Sequence, residues 1–450
     1  MEKVAIIGCG YSGTVVLHRL KKLNPDRRID IFDPAGANGH GLAYQPDISS
    51  NLINRPANLM WLEEPGDFTR WLRENSSNKK DYQPRASFGQ FLKSQLEQLI
   101  INGVNIQVFA QPVLAIFAAQ PEGYWIATPE GKHGAYAAII LATGNPEPYD
   151  AYHLSGKVNY YNSAYPTSRL LQIRSDQIGV IGNQLSAIDT SIALLEEHPD
   201  NRVTLLSRRS KLPNHSGNYH PRPLNVINDK HLAESLSSKP LSLATIRQLF
   251  DAELFSQGVN ITLMDLMADH SKADIAREKI YSILSATNLL IPRLWNLISE
   301  REKNIFTRRY ARHWRQLRVP TPTESHDKIH DFIKHGRLKI RSRVTDIHSC
   351  TPGRFKARGC NYEETFTHII NATGAGNPIN TPLYRSMAKL GLCQPNDYGG
   401  IKVRPSDCRV IGTHDIHNIF AIGTPTIGDF FSISNIDILQ MQANIISNAL

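Results

Sequence analysis

Gly8, Gly10 and Gly13 stand at the spacing that bares backbone N–H groups to a phosphate, and the apolar run Val4-Ala5-Ile6-Ile7 leads directly into them. In such a turn the first glycine permits the tight bend and the second lets a pyrophosphate reach the backbone. The third lets helix and strand pack closely, so that the phosphates rest on free N–H groups at a helix N-terminus. Tyr11 and Ser12 fall inside the turn, the run Val15 to Leu23 that follows is helical in character, and the next strand, Ile29 to Phe32, ends at Asp33. An acid at that point is placed to accept hydrogen bonds from ribose hydroxyls. Together these residues predict a dinucleotide site at Gly8, Gly10, Tyr11, Ser12, Gly13 and Asp33.

The pattern recurs. Ile178 to Ile181 enters Gly182-Asn183-Gln184-Leu185-Ser186-Ala187, with a helix expected from Ile188 to about Glu197 and a strand from Val203 to Leu206. Gln184 takes the middle glycine's place and Ala187 the third's. Alanine is tolerated there, whereas a glutamine side chain is expected to crowd the pyrophosphate. After the second strand come Ser207-Arg208-Arg209, where an arginine can hold the 2′-phosphate of NADP(H). Gly182, Gln184, Ser186, Arg208 and Arg209 are therefore candidate contacts for NADP(H) or NAD(H). The alternative is a retained fold that has lost its ligand.

The elements that hold these turns set the domain plan. Short strands at Ile106 to Phe109, Val113 to Ala118, Tyr124 to Thr128 and Ala137 to Ala142 read as a meander ending in the small turn Ala142-Thr143-Gly144. From Leu241 to Lys334 the apolar spacing is helical. Further strands at Leu338 to Ile340, Val344 to Ile347 and Thr365 to Ile370 lead to a second Ala372-Thr373-Gly374 turn, where the chain is expected to have rejoined its first sheet. Asn418 to Gly423 forms a last strand and glycine, followed by a helix from Ile436 to Ala449.

The fold class expected is α/β with two Rossmann-like domains. An FAD-binding domain spans 1–165 and 335–450, an NAD(P)-binding domain spans 166–240, and a helical insertion at 241–334 is associated with the latter. One nucleotide unit inserted in another is the layout of flavin enzymes that reduce FAD with a nicotinamide. It adds Thr143, Gly144, Gly374 and Gly423 to the candidate cofactor contacts.

Bulk properties narrow the partners. The chain has 450 residues, 20% of them charged, and a net charge of +9, with basic residues dense between Arg301 and Arg318. No nucleic-acid motif accompanies that charge, so no nucleic-acid partner is expected. No apolar run approaches the ~20 residues that span a bilayer, so no membrane insertion is expected. The first strand begins almost at Met1, which points to the cytoplasm. Five cysteines are scattered without a C-x-x-C pair, against a zinc module and against a dithiol reductase. There is no G-x-S-x-G, Walker sequence or metal-ligand spacing, and no oligomeric state is implied.

Four segments carry a resemblance: Gly41-Leu42-Ala43-Tyr44; Asn51-Leu52-Ile53-Asn54-Arg55-Pro56-Ala57; Pro65-Gly66-Asp67-Phe68; and Pro84-Arg85-Ala86-Ser87-Phe88-Gly89-Gln90-Phe91-Leu92. With them the chain resembles the YdhS-like bacterial FAD/NAD(P)-binding proteins. Its order of parts is similar to that of the N-hydroxylating flavin monooxygenases. The resemblance implies FAD and a nicotinamide cofactor, with Asn54, Pro56, Asn58, Met60 and Trp61 lining the flavin pocket or, alternatively, forming an ordinary Asn-x-Pro turn and a Met60-Trp61 core pair. Arg85 is expected at the FAD phosphates, at the nicotinamide nucleotide or in a structural ion pair. His215 and His220 are expected in a loop bordering the site or in solvent. No catalytic side chain is nominated, because the cofactor supplies the redox chemistry. The expected function is an FAD-dependent oxidoreductase reduced by NAD(P)H, with monooxygenation of a small metabolite favoured. The alternatives are a flavin reductase or dehydrogenase and a non-catalytic FAD-binding protein with a degenerate nicotinamide site.

Overall fold

The computed structural model describes residues 3–450 apart from 78, 104, 120–121, 209–210, 216, 218, 229–239, 414–417 and 434. In chain order the strands are β1 (Val4–Ile7), β2 (Ile29–Phe32), β3 (Ile106–Phe109), β4 (Ala115–Ala118), β5 (Tyr124–Thr128), β6 (Gly131–Tyr136) and β7 (Ala138–Leu141). They continue with β8 (Tyr160–Tyr161), β9 (Ile178–Ile181), β10 (Val203–Leu206), β11 (Leu338–Arg341), β12 (Val344–Thr351), β13 (Arg354–Gly359), β14 (Tyr362–Phe366), β15 (His368–Asn371) and β16 (Ile419–Ala421). Two five-stranded parallel sheets result, ordered β16-β7-β1-β2-β3 and β8-β15-β9-β10-β11. Each is preceded, just before its return strand, by a three-stranded antiparallel sheet, β4-β5-β6 before β7 and β12-β13-β14 before β15. The second half thus repeats the first strand for strand.

A parallel sheet covered on both faces must be apolar throughout, which is why β1, β7 and β9 read as unbroken apolar runs and are buried along their whole length. Helices α1 (Tyr11–Leu23), α2 (Asp67–Asn75) and α3 (Arg85–Asn102) belong to the first unit, and α4 (Leu185–Glu197) to the second. A helical lobe intervenes between β10 and β11: α5 (Leu243–Ser256), α6 (Leu263–Ala268), α7 (Arg277–Ala286), α8 (Ile291–Leu297), α9 (Glu300–Arg309) and α10 (Ala311–Arg318), followed by α11 (Thr323–Lys334). The lobe has a core of its own around Phe250, Leu254, Leu266, Ile283 and Leu284. Helices α12 (Pro382–Lys389) and α13 (Ile436–Ala449) flank β16. Among the described residues no helix is long and apolar enough to cross a membrane.

The topology corrects the expected domain plan. Strands β11 to β15 do not return to the first sheet at 335. They complete the second, with Ile370 opposite Val180 and Leu338 opposite Val203. β8, placed by sequence in the first domain, forms the second sheet's edge beside β15. The first sheet recovers the chain only at β16, where Phe420 lies opposite Ile140. The physical reason is that an apolar strand ending in Ala-Thr-Gly has the same local form in either sheet, and only long-range register assigns it. The expected meander likewise divides, because β3 and β7 join the parallel sheet.

Candidate functional site

Both glycine turns lie at the carboxyl ends of the central strands, where open α/β sheets bind ligands. At the first, the N–H of Gly8 donates to the Phe32 carbonyl at 2.8 Å and that of Ala142 to the Ile7 carbonyl at 2.8 Å, so the ends of β1, β2 and β7 are locked together. Gly8 has φ +99°, and a Cβ there would sit 2.3 Å from the Ala142 carbonyl oxygen. A Cβ on Gly13 would sit 2.1 Å from the Gly8 carbonyl oxygen, so α1 approaches β1 as closely as backbone allows. Gly10 caps α1 with no side-chain hydrogen bond, and the first turn holds no acid. Its N-terminal N–H groups and dipole therefore suit a phosphate. Asp33 accepts from the N–H of Cys9 at 2.8 Å and from that of Ala35 at 2.9 Å, so it braces the turn as well as closing the next strand.

The last strand completes this end of the sheet. Gly423, at the exit of β16, lies so near Ser12 that an added Cβ would be 3.1 Å from its Oγ and 3.4 Å from Leu439 of α13. Thr143 and Gly144 leave β7 beside it. The Thr143 hydroxyl is hydrogen-bonded to that of Tyr384 at 2.9 Å, and Gly144 has φ +67° with open space around it. Gly8, Gly10, Ser12, Gly13, Thr143, Gly144 and Gly423 thus converge. The uncapped helix end, absent first-turn acid and close-packed glycines fit the diphosphate of a dinucleotide. Tyr11 differs, since its side chain turns into the core. Its hydroxyl donates to the Trp61 carbonyl at 2.9 Å and accepts from Gln440 at 2.9 Å, leaving only its backbone for a ligand.

The second turn is built alike. The N–H of Gly182 donates to Leu206 and that of Ala372 to Ile181, each at 2.9 Å. Gln184 keeps the backbone course of the turn. Its backbone (φ −103°, ψ −169°) is extended like that of Gly10 (φ −78°, ψ −167°), and its amide folds back onto Asn183 at 3.1 Å. Ser186 sits half-buried in the first turn of α4, which holds no acid, and Gly374 faces open space. The register of the two sheets makes Ser207 the counterpart of Asp33, because Ile181 faces Leu206 as Ile7 faces Phe32. The acid that would repel a 2′-phosphate is replaced by a serine followed by the exposed cation Arg208. Arg209 lies outside the described residues.

Several expected contacts are engaged elsewhere. The Arg85 guanidinium pairs with Asp189 of α4 at 3.1 Å and lies over the Tyr165 ring, which realises the ion-pair reading. Tyr165 also donates to Asp189, at 2.9 Å. Burial disfavours the Arg85 cation, yet Tyr165 and Asp189 outweigh it and hold its pKa above that of an ordinary arginine. Met60 lies in the core, Asn58 is exposed, and Asn54 is half-buried beside Arg55. Arg55, not singled out from sequence, donates to Asn435 and Asp437 at the start of α13, both at 2.7 Å. A cation between Asn54 and Pro56 was the signal available.

His220 is largely exposed, 4.0 Å from Glu278. The His215 ring packs 4.5 Å from that of His326, beside a crevice of about 20 Å³, room for no more than a water. Burial, then the nearby Arg277 and His326, lower its pKa to about 4. Between that value and 6.5 the unfolded chain binds the proton and the native one does not, so this histidine costs stability as pH falls through the window. His215→Gln is expected to flatten the fall in Tm between pH 6.5 and 4, as scanning calorimetry across pH would read; an unchanged slope would contradict the assignment. Cys9 and Cys393 are buried and pushed up to about 12 by desolvation, so neither is a reactive thiolate.

This geometry is that of a two-dinucleotide fold. Residues 5–146, which span the first glycine turn and strands β1 to β7, match the family model described as FAD-NAD(P)-binding. Over 278 residues the chain is 25% identical to the Uncharacterized protein YdhS of Escherichia coli (strain K12), a match covering 52% of this chain and about half (50%) the length of that relative. Its fold is that of the ornithine hydroxylase PvdA from Pseudomonas aeruginosa in its reduced form, with TM-score 0.64, 14% identity, and 100% of this chain and 98% of the other covered. It is equally similar to the Kutzneria sp. 744 ornithine N-hydroxylase KtzI, solved with reduced FAD, NADP+ and L-ornithine, with TM-score 0.64, 15% identity and the same coverage, 100% and 98%.

Proposed function

We propose that the protein is an FAD-dependent oxidoreductase reduced by NADPH. The observation that carries this reading is the duplication, in which two uncapped helix ends, each at the carboxyl end of a central strand, differ in the residue after the second strand, Asp33 in one and Ser207-Arg208 in the other. The first unit would hold FAD, with its diphosphate on the α1 end and its ribose toward Asp33. The second would hold the nicotinamide nucleotide, with its diphosphate on the α4 end. Bound FAD supplies hydride acceptance and onward electron transfer. The chain orients both cofactors, and Gly423 brings the last strand's exit close against Ser12 of the first turn.

Mixing the yellow protein anaerobically with NADPH or NADH tests this. Bleaching at 450 nm, faster with NADPH at ~100 µM, is the expected result, and a flavin that neither nucleotide bleaches would leave a non-catalytic FAD-binding protein. Replacing Arg208 by Ala is expected to weaken NADPH about tenfold or more while leaving NADH within about twofold, because a charge-assisted contact to a phosphate is worth roughly 1.5–3 kcal/mol. Equal effects on both would place the 2′-phosphate elsewhere.

For the onward step we favour oxygen transfer to a small-molecule substrate, as the names ornithine hydroxylase and ornithine N-hydroxylase describe for PvdA and KtzI. The absence of a C-x-x-C pair and the buried thiols of Cys9 and Cys393 speak against dithiol reduction. Steady-state oxygen uptake coupled one-to-one to an oxygenated product supports this. Stoichiometric hydrogen peroxide with every substrate offered would favour a reductase or dehydrogenase.

A further inference from the structure

The helical lobe encloses a cavity of about 250 Å³ that neither nucleotide turn uses. Its walls are Phe250, Met264, Ile291, Trp295, Phe306 and Trp314 with other apolar side chains and Tyr310, and among the described residues its only charged lining residue is Arg247. Arg247 and Ala244 are exposed and mark the opening, and Arg247 faces Asp251 of its own helix at 3.9 Å. The floor reaches the first domain. Trp295 donates its indole N–H to the Gly428 carbonyl at 2.8 Å and stacks on Phe431 at 4.8 Å, and both partners lie on the segment that follows Gly423. The cavity therefore abuts the stretch of chain that leaves the first sheet beside the α1 turn.

One polar group in the wall is unsatisfied. Trp314 is 5% exposed, Phe250 meets its ring edge-on at 5.4 Å and the Arg318 guanidinium covers it at 5.4 Å. Its indole N–H is buried with no hydrogen-bond partner. A buried N–H left unpaired costs about 1–3 kcal/mol, so native structures almost always give it an acceptor. Trp314 lines the cavity, so a molecule bound there can bring the missing acceptor. A zwitterionic amino acid would have to shed its hydration there with no carboxylate to meet its ammonium group, a cost of several kcal/mol per unpaired ion.

We propose that this cavity binds a small, uncharged, largely apolar molecule carrying one hydrogen-bond-accepting atom, which receives the Trp314 indole N–H. A cavity of roughly 150 Å³ already admits benzene, so the space here suits an aromatic ring with a short substituent. Where the proposed function holds, that molecule is the substrate class. Binding is read without turnover, so the site stands or falls independently of the flavin chemistry.

Acetophenone and α-methylstyrene make a matched pair of probes that differ in the carbonyl oxygen. In calorimetric titrations of the protein with its bound flavin, acetophenone is expected to bind saturably at one site. α-Methylstyrene is expected to bind about 3- to 10-fold more weakly, the worth of one neutral hydrogen bond, and L-ornithine should not compete. Trp314→Phe should equalise the two probes, and Ala244→Trp, at the exposed opening, should abolish both while leaving the flavin spectrum unchanged. The proposal is overturned by any of three results: acetophenone binding that does not saturate, binding that survives Ala244→Trp, or displacement by L-ornithine at comparable concentration.

Discussion

Gly8→Ala is expected to yield a colourless protein, with flavin occupancy below about a tenth of the wild type's. Two costs fall on the same atom. An L-residue at φ +99° pays roughly 1–2 kcal/mol in backbone strain, and the new Cβ would sit 2.3 Å from the Ala142 carbonyl oxygen and 2.8 Å from its carbon. Both atoms are backbone, so no rotamer relieves the contact. Either β7 moves off β1 or the turn opens, and each disturbs the N–H groups of α1. Gly36 provides the control. It has φ +72°, yet a Cβ there meets nothing within 4 Å. Gly36→Ala therefore carries the strain without the clash, and should keep its flavin while losing only about 1 kcal/mol. Absorbance ratios of the purified proteins separate the cases, and a fully yellow Gly8→Ala protein would mean that FAD does not rest on this turn.

The second large effect is expected at Arg85. Arg85→Ala strands the Asp189 carboxylate, whose side chain is only 6% exposed, with Tyr165 as its remaining donor. Removing one member of a buried pair costs about 3–5 kcal/mol, a loss that urea unfolding monitored by flavin fluorescence and far-UV CD would show. Because Arg85 opens α3 and Asp189 lies on α4, the loss should loosen the two units from one another. Burial already raises the Asp189 pKa against the pull of Arg85, and without the cation it rises further. Native Asp189 then holds its proton over a range in which the unfolded chain has released it, so the variant's deficit grows as pH rises and shrinks toward pH 4. The double variant Arg85→Ala, Asp189→Ala should recover much of the loss, since no charge is left buried. A deficit that does not change with pH would show that the pair is held by packing and not by charge.

Local features were readable from sequence and pairings were not. Both glycine turns, both Ala-Thr-Gly exits, the last helix and the lobe follow from short-range rules of spacing and turn chemistry. The assignment of β11 to β15 failed because the choice of sheet rests on partners such as Ile370 and Val180, far apart in the chain. β6 escaped because Gly131-Lys132-His133-Gly134-Ala135-Tyr136 lacks the alternation that marks a half-buried strand. Gln184 illustrates the limit of a motif: its residue type predicts crowding, while only the structure shows that its backbone stays extended and that its amide folds onto Asn183. Arg55 and Arg85 were both visible as cations near the flavin segment. What sequence could not supply is that one of them meets the start of α13 and the other a carboxylate of the second unit.

The placement of β16 has a temporal consequence. Ile140 of β7 waits for Phe420, so the first sheet lacks its edge until the entire second unit and the lobe have been synthesised. At roughly 5–20 residues per second of translation, that delay exceeds ten seconds. The second unit, contiguous from β8 to β15, is able to reach its native pairing on the ribosome, and the N-terminal one is not. Its nascent glycine turn would stand with β7 an unpaired edge, a state that invites aggregation. Uptake of the proposed flavin would then wait for β16 and α13, so the two units mature in the order opposite to that in which they are read.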